Sequence, residues 1–490
     1  MDVSLLSALR VLAIGLGIWF PLHMIYNLYF HPLARFPGPF WARTTLFWRF
    51  WHDLTGLSHW TIQDCHRKYG DVFRVGPNEL SFASVQAYKD IYAAKGPRPL
   101  KSEFYDMLGT GFSESCVVTE RDHKRALQKR ALFTSAMSSK ALMEQEVVIQ
   151  RCIDGFVEKL GKLGGGPGGL DLTKWYMMLS FDIGGEMAFG ESFGCVDSET
   201  SNHWLDTIFA HLHAISIMDN IRRMPLVEKT ARLIPTKWTT GIRNRITGFA
   251  REKSKRRVER SGETVDFLSN VVEKVRSGKI SHEEMAAHCS IIAIASSETS
   301  ATSLATITYF LLRSPAVHHR LKAEIRDHFK SPQEIDIASA TKLPYLFAVI
   351  EEGLRIVPTT TVGFLRRVPF PGIDIDGHFV PGGAEVSVSG WTTARDERYF
   401  HDPLSFKPER WLDPECKDVK EASQPFSLGP RSCPGKTFAY AQMSVELAKM
   451  IWTYDMELVD PSLDWEKQVR LHFVLWKPEL YVRFIERKLS

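Results

Sequence analysis

The sequence predicts a mainly α-helical protein with small β-sheets, on three observations. Ser281-His282-Glu283-Glu284 reads as a capping box, and no proline follows until Pro315, which leaves room for one helix of roughly 30 residues, about 45 Å long. Two more helical stretches are bounded by local signals: Pro344 to Arg355, stopped by Pro358, and Thr437 to Trp452, rich in small and apolar residues. Between Val362 and Val388, short β-branched and aromatic runs are broken by Pro371-Gly372, Asp376-Gly377 and Pro381-Gly382, the pattern of a small sheet with hairpins.

The chain has 490 residues, 44% of them hydrophobic and 24% charged, which is ordinary globular composition with enough apolar surface for a large core. Length allows one large domain or about three average ones. A net charge of +4 is too small to argue for nucleic acid as a partner. The seven cysteines are odd in number and irregularly spaced, which suits a reducing compartment rather than a disulfide framework. Gly164 to Gly169 reads as a surface loop.

In chain order, the first element is an uncharged run from Val11 to Phe30, the length of a bilayer span at about 20 residues. No A-x-A-like cleavage site follows it, so residues 1–30 are expected to be a retained membrane anchor rather than a signal peptide. Pro32, Pro37 and Pro39 forbid helix continuation, so residues 31–45 are expected to be a stiff, extended connector, with the globular body at 46–490. The middle of the long helix, Cys289 to Ala295, is almost wholly apolar and is expected to be buried on all sides, with Glu284 reaching back to the cap. Val474 to Phe484 is expected to be a further strand region.

Chemistry concentrates at Cys433, in Phe426-Ser427-Leu428-Gly429-Pro430-Arg431-Ser432-Cys433-Pro434-Gly435. A glycine-bounded loop just before a helix presents one sulfur where free N–H groups and the helix dipole favour a thiolate. No CxxC or His at zinc-finger spacing lies nearby, so a structural zinc site lacks its other ligands. A porphyrin supplies four nitrogens and needs one axial ligand, and a thiolate in that place favours O–O cleavage. The ordinary alternative is a buried structural cysteine in a turn.

Ala295-Ser296-Ser297-Glu298-Thr299-Ser300, midway along the long helix, sets an acid beside an alcohol in an apolar segment, a local conflict that marks functional sites. Its ordinary alternative is a Thr bonded to the i−4 carbonyl and a Glu pointing outward. Glu352 and Arg355 share a helix face at i and i+3, although Glu351 would serve Arg355 at i+4 equally well.

The Cys433 segment, as F-x-x-G-x-R-x-C-x-G, resembles the haem-binding loop of the cytochromes P450, the haem-thiolate monooxygenases. The resemblance extends to Glu352-Gly353-Leu354-Arg355, to Pro408-Glu409-Arg410-Trp411, to the Ala295–Ser300 segment, to the Tyr26-to-Pro39 hinge of membrane-anchored fungal members, and to Trp476-Lys477-Pro478 in their C-terminal strand. It implies the triangular fold with a long central I helix and haem b held by the Cys433 thiolate, with Phe426, Gly429 and Gly435 shaping the loop. It implies that Glu352, Arg355 and Arg410 form a buried triad fixing that loop. It implies proton delivery by Thr299, holding a water or bound oxygen, and Glu298, relaying protons from solvent.

Haem propionates call for arginines. Arg431 in the loop is one candidate; Arg366 fits the family's propionate arginine, with Arg367 beside it as the alternative. On the helix around His123 to Arg130, one alignment puts Leu127 at the arginine position and another puts Arg130 there; Arg130 is preferred. The family usually has glycine where this chain has Ser296, whose side chain is expected to narrow the oxygen groove or add a donor. Pro434 withholds an N–H from the sulfur, which leaves Gly435 and Lys436 to donate.

The activity implied is insertion of one oxygen atom from dioxygen into a lipophilic small molecule, a terpenoid, polyketide or alkaloid of fungal secondary metabolism. Electrons would come from NADPH-cytochrome P450 reductase, with cytochrome b5 as a candidate second donor, at the endoplasmic reticulum membrane with the body in the cytosol. Two rival readings stay open. One is a haem-thiolate isomerase, dehydratase or peroxygenase working without reductase. The other is a membrane-anchored haem carrier or gas sensor. Substrate contacts are expected from Phe104 to Phe112, His211 to Met218, Ile291 to Ala295, Val357 to Val362 and His472 to Phe473.

Overall fold

The structure is a computed structural model that describes residues 3–487 apart from 97, 110, 135, 225–236, 261–267 and 360. Of the expected substrate segments, Thr110 and Thr360 lie outside the described residues. Helices dominate. Those used below are α1 (Val3–Ile25), α2 (Phe40–Thr44), α3 (Phe47–Thr55), α4 (His123–Thr134), α5 (Leu172–Phe189), α6 (His203–Arg222), α7 (His282–Leu312), α8 (Pro344–Ile356) and α9 (Lys436–Thr453).

One five-stranded sheet contains β1 (Val72–Gly76), β2 (Glu79–Phe82), β3 (Leu100–Lys101), β4 (Arg366–Arg367) and β5 (Glu385–Val388), in the spatial order β1-β2-β5-β4-β3. Its β2/β5 pair is parallel, with Leu80 opposite Val386, and the other pairs are antiparallel. The Asp376-Gly377 signal does make a hairpin, joining Gly372–Ile375 to His378–Pro381.

The long helix forms as its cap predicts: Ser281 Oγ accepts from the Glu284 N–H at 3.0 Å, and α7 runs 31 residues. The other half of the capping box is absent. The Glu284 carboxylate turns instead to Lys129 Nζ at 2.6 Å, because a buried ammonium needs a counter-charge more than an exposed N-cap amide does. α7 is not buried all round. Ala295 and Thr299 are exposed and line an internal cavity, while the opposite face packs on α5. Gly184 of α5 permits that approach: a Cβ there would lie 2.5 Å from Ser296 Oγ.

The N-terminal expectation changes in detail. The window Ala13–Phe30 has a mean hydropathy of 1.2 and is 6% buried, making α1 and its π-helical end the one candidate membrane span among the described residues. Its last turn is tied to the body: Asn27 is buried, donates to Thr44 O at 3.0 Å, and its carbonyl accepts from Arg74 Nη1 at 2.6 Å. Residues 31–45 are not an extended connector. Leu33 and Phe36 are buried in the sheet-side core, and the segment includes the short helix α2. The prolines stop α1, but the two apolar side chains gain more by docking than by staying in water. Val474 to Phe484 is likewise two strands, not one. β6 (Arg470–His472) and β7 (Val474–Trp476) make a hairpin, and Tyr481–Glu486 joins another sheet after Pro478 removes a ladder N–H.

Candidate active site

A cavity of about 500 Å³ lies between the Cys433 loop and α7. Cys433 is exposed, and the surface it exposes lines this cavity. The loop that carries it is closed by a Cys433 N–H bond to Phe426 O at 2.8 Å. Gly429 has φ of +72°, and a Cβ there would fall 2.2 Å from Tyr92 O, so only glycine fits. Gly435 caps α9 with ordinary φ, and a Cβ on it would sit 3.9 Å from Cys433 Sγ. Burial pushes the Cys433 thiol up, while the Gly435 N–H and the nearby Arg130 charge pull it back toward thiolate. With Pro434 silent, Gly435 is therefore the backbone donor to the sulfur.

Arg130 of α4 lines the cavity and donates to Ser432 O at 2.5 Å, next to Cys433. Leu127, the competing position, also lines the cavity but carries no charge. Arg366 and Arg367 point to opposite faces of β4, as alternation requires. Arg366 is buried on the cavity side with Tyr105 OH at 2.8 Å, and Arg367 turns away to Glu385 at 3.1 Å. Arg431 donates to Arg121 O at 3.0 Å through Nη2, while its buried Nη1 has no partner among the described residues.

Lys101, absent from the sequence reading, completes this group. It is buried, lines the cavity and donates to the carbonyls of Val117 and Val118. Burial, Arg431 and Arg366 together push its ammonium down to about 7, and burial with Arg366 pushes Arg431 down to about 10. Three cations with an orphaned guanidinium nitrogen and no carboxylate in ion-pair reach among the described residues fit a dianionic ligand edge, such as two propionates. Among the described residues no three His, Cys, Asp or Glu side chains are placed to hold a metal, so a metal at Cys433 must bring its other ligands with it. Both features fit haem.

Across the cavity, Thr299 Oγ1 donates to Ala295 O at 2.7 Å, the back-bonded arrangement. Glu298 does not point outward to the surface: it is buried, 4% exposed, and pairs with Lys477 Nζ at 2.6 Å. Burial raises its carboxyl, and the Lys477 charge opposes that rise. Ser296 adds no donor to the groove. Its Oγ donates to Ile292 O at 2.8 Å and Ala293 O at 3.3 Å, on the side occupied by Gly184.

Behind the loop, Arg355 clasps Glu352 with two 2.8 Å bonds, Arg410 Nε adds one at 3.1 Å, and Trp411 Nε1 another at 3.0 Å. Arg355 also donates to Ala394 O at 2.6 Å and Pro403 O at 2.8 Å. These bonds end within residues 394–418; among the described residues none from the triad reaches 426–435, so its support of the Cys433 loop is indirect. Glu351 does not serve Arg355; it accepts from Tyr440 OH.

The expected substrate segments contribute Phe104, Phe112, Leu212, Ile291 and Val362 to the cavity wall, and Phe473 but not His472. Lys101 has no sequence signal and Lys477 stands in the sequence only as part of the C-terminal Trp476-Lys477-Pro478 motif, because each is brought to the site by tertiary packing alone.

The Cytochrome P450 family description matches residues 20–484. The chain is 47% identical to Cytochrome P450 monooxygenase ORF9 of Penicillium roqueforti, over 94% of this chain and 91% of the relative. It is 45% identical to Cytochrome P450 monooxygenase BOT4 of Botryotinia fuckeliana, over 94% and 88%, and 35% identical to averantin hydroxylase of Dothistroma septosporum, over 97% and 91%. In fold it is similar to the cytochrome P450DA heme domain, with a TM-score of 0.75 at 16% identity, covering 88% of this chain and 93% of that one. With a cysteine-bearing loop and a cation cluster around one cavity, and with relatives of this kind along almost its whole length, the chain belongs to the cytochrome P450 family of haem-iron monooxygenases.

Proposed function

We propose that this enzyme is a membrane-anchored haem-thiolate monooxygenase of fungal secondary metabolism, acting on a lipophilic small molecule. The observation that carries the reading is one largely apolar cavity with Cys433 on one wall, Glu298 and Thr299 on the other, and Lys101, Arg366 and Arg431 at its edge. Cys433 would ligate the iron, and the three cations with Arg130 would hold the propionate edge and its loop. Haem b, when bound, supplies dioxygen activation. Phe104, Phe112, Leu212, Ile291 and Val362 would desolvate the substrate and hold it by contact area rather than by directed bonds. Thr299 would release its bond to Ala295 O to hold a water, and Glu298 would pass a proton to it.

A membrane setting is supported by the candidate span and by α3, where Phe47, Trp51 and Leu54 are exposed at i, i+4 and i+7 close to it in sequence. Fungal relatives, one named for hydroxylating averantin, support a secondary metabolite as substrate. NADPH-cytochrome P450 reductase, with or without cytochrome b5, would supply electrons at the endoplasmic reticulum.

The test compares metabolites of a producing strain and its deletion strain, then incubates the accumulated compound with purified enzyme, reductase, NADPH and labelled dioxygen. One labelled oxygen atom in the product, dependent on NADPH, supports the reading. Conversion without NADPH or without label would overturn it in favour of isomerisation, dehydration or peroxygenation.

A further inference from the structure

The wall opposite Cys433 contains a buried ion pair that joins two distant parts of the chain. Lys477 directly follows β7; the residue as a whole is half-buried, but its side chain is only 4% exposed. Nζ donates to Glu298 Oε1 at 2.6 Å, Thr302 Oγ1 at 2.7 Å and Leu475 O at 3.2 Å, so all three N–H donors of the ammonium are used. Thr302 donates in turn to the same Glu298 Oε1 at 2.9 Å. Glu298 Oε2, by contrast, is buried and has no partner among the described residues. The next residue, Pro478, anchors the main chain through its carbonyl, which accepts from Thr173 at 2.8 Å and Trp465 at 3.1 Å. Lys477 is therefore held from outside while reaching in.

The two carboxylate oxygens of Glu298 are unequal. Oε1 is saturated by a cation and a hydroxyl. Oε2 is a buried acceptor with spare capacity, and such an atom calls for a donor, a water being the smallest that fits. We propose that Lys477 is a positioning residue for proton delivery: it locks Oε1 of Glu298 and reserves Oε2 as the oxygen that takes a proton from a water and hands it on toward Thr299. The ammonium keeps its three protons throughout; each proton that Oε2 hands on is replaced by one from bulk solvent relayed through the water at Oε2, so that water and carboxylate both return to their starting state. The positive charge also opposes the rise that burial imposes on this carboxyl. This inference rests on Glu298 being the acid of the proton route.

The test uses the haem-loaded full chain with purified reductase. In Lys477→Met, a new infrared carboxylic-acid C=O band is expected at neutral pH, and it should vanish in Lys477→Met/Glu298→Gln. The share of NADPH electrons recovered as hydrogen peroxide should rise about tenfold, less than the roughly 100-fold or more that loss of the acid–base group itself would give, because Glu298 is still present. Lys477→Arg, which keeps the charge, should restore both readouts. Thr302→Val, a milder change, should move peroxide release in the same direction by about threefold; it carries the test if Lys477→Met fails to hold haem. If Lys477→Met shows no new band and unchanged peroxide release, or if Thr302→Val alone must serve and leaves peroxide release unchanged, Lys477 is only a structural tie and the proposal falls. If wild-type enzyme itself lacks a thiolate-type reduced carbon-monoxide spectrum, the underlying site reading fails instead, and the two failures are told apart.

Discussion

Two buried charge clusters flank the Cys433 loop, and they differ in one respect. In the Glu352–Arg355–Arg410 cluster every charge has its partner: the carboxylate accepts from both guanidinium groups and an indole, and the remaining N–H groups reach Asp418 and backbone carbonyls. In the Lys101–Arg366–Arg431 cluster three cations face one another, Arg431 Nη1 is orphaned, and the ammonium is pushed down to about 7. Burial of charge is tolerable only when paired. The first cluster is therefore complete as protein, whereas the second is complete only with an anion that the chain does not supply. On the proposed reading, the difference separates a residue set that holds the fold from one that would hold a ligand.

The sharpest way to break this comparison is at Glu352. Arg355→Met leaves the carboxylate buried and half-paired, and should cost about 3–5 kcal/mol in urea unfolding whether or not haem is present. A loss seen only with haem would move the triad into the ligand site. Next, Arg431→Met should leave the stability of haem-free protein unchanged or raised, while haem transfer to apomyoglobin speeds up about 10–100-fold, as for one charged hydrogen bond of about 1.5–3 kcal/mol.

A pH-dependent effect comes from Lys101. Its folded-state value of about 7 lies below the unfolded value near 10.5, so the unfolded chain binds more protons between those pH values and stability rises with pH across that window. The slope should be about 1.4 kcal/mol per pH unit in haem-free protein, lost in Lys101→Met and flattened when haem supplies the counter-charge. The smallest effect concerns the helix pair that carries Glu298. Gly184→Ala would collide with Ser296 Oγ and should cost about 1–3 kcal/mol by thermal unfolding, with much of the loss recovered in Gly184→Ala/Ser296→Gly.

What could be read from the sequence was what is encoded locally. Ser281 and Pro315 bound α7, Gly429 announces a turn that only glycine can make, and the spacing of Glu352, Arg355 and Arg410 carries a recognisable pattern. What could not be read depends on partners far along the chain. Leu33 and Phe36 look like hinge residues until the sheet-side core accepts them. Ser296 lines the cavity and looks like an added donor there until its hydroxyl is seen bonded to Ile292 O and Ala293 O beside Gly184. Lys477 and Glu298 are 179 positions apart, and nothing local to either predicts their contact. The half capping box at Glu284 is the same lesson in reverse, a local pattern overruled by buried Lys129.

Cys433 as the axial ligand is the assignment on which every other role at the site depends. The most direct measurement is the reduced carbon-monoxide-bound spectrum of freshly prepared wild-type protein beside Cys433→His. Wild type should give the red-shifted Soret band of thiolate ligation, and Cys433→His should either lose haem or shift to the histidine-ligated position. A wild-type Soret band already at the histidine-ligated position, or a thiolate band that survives Cys433→His, would contradict it.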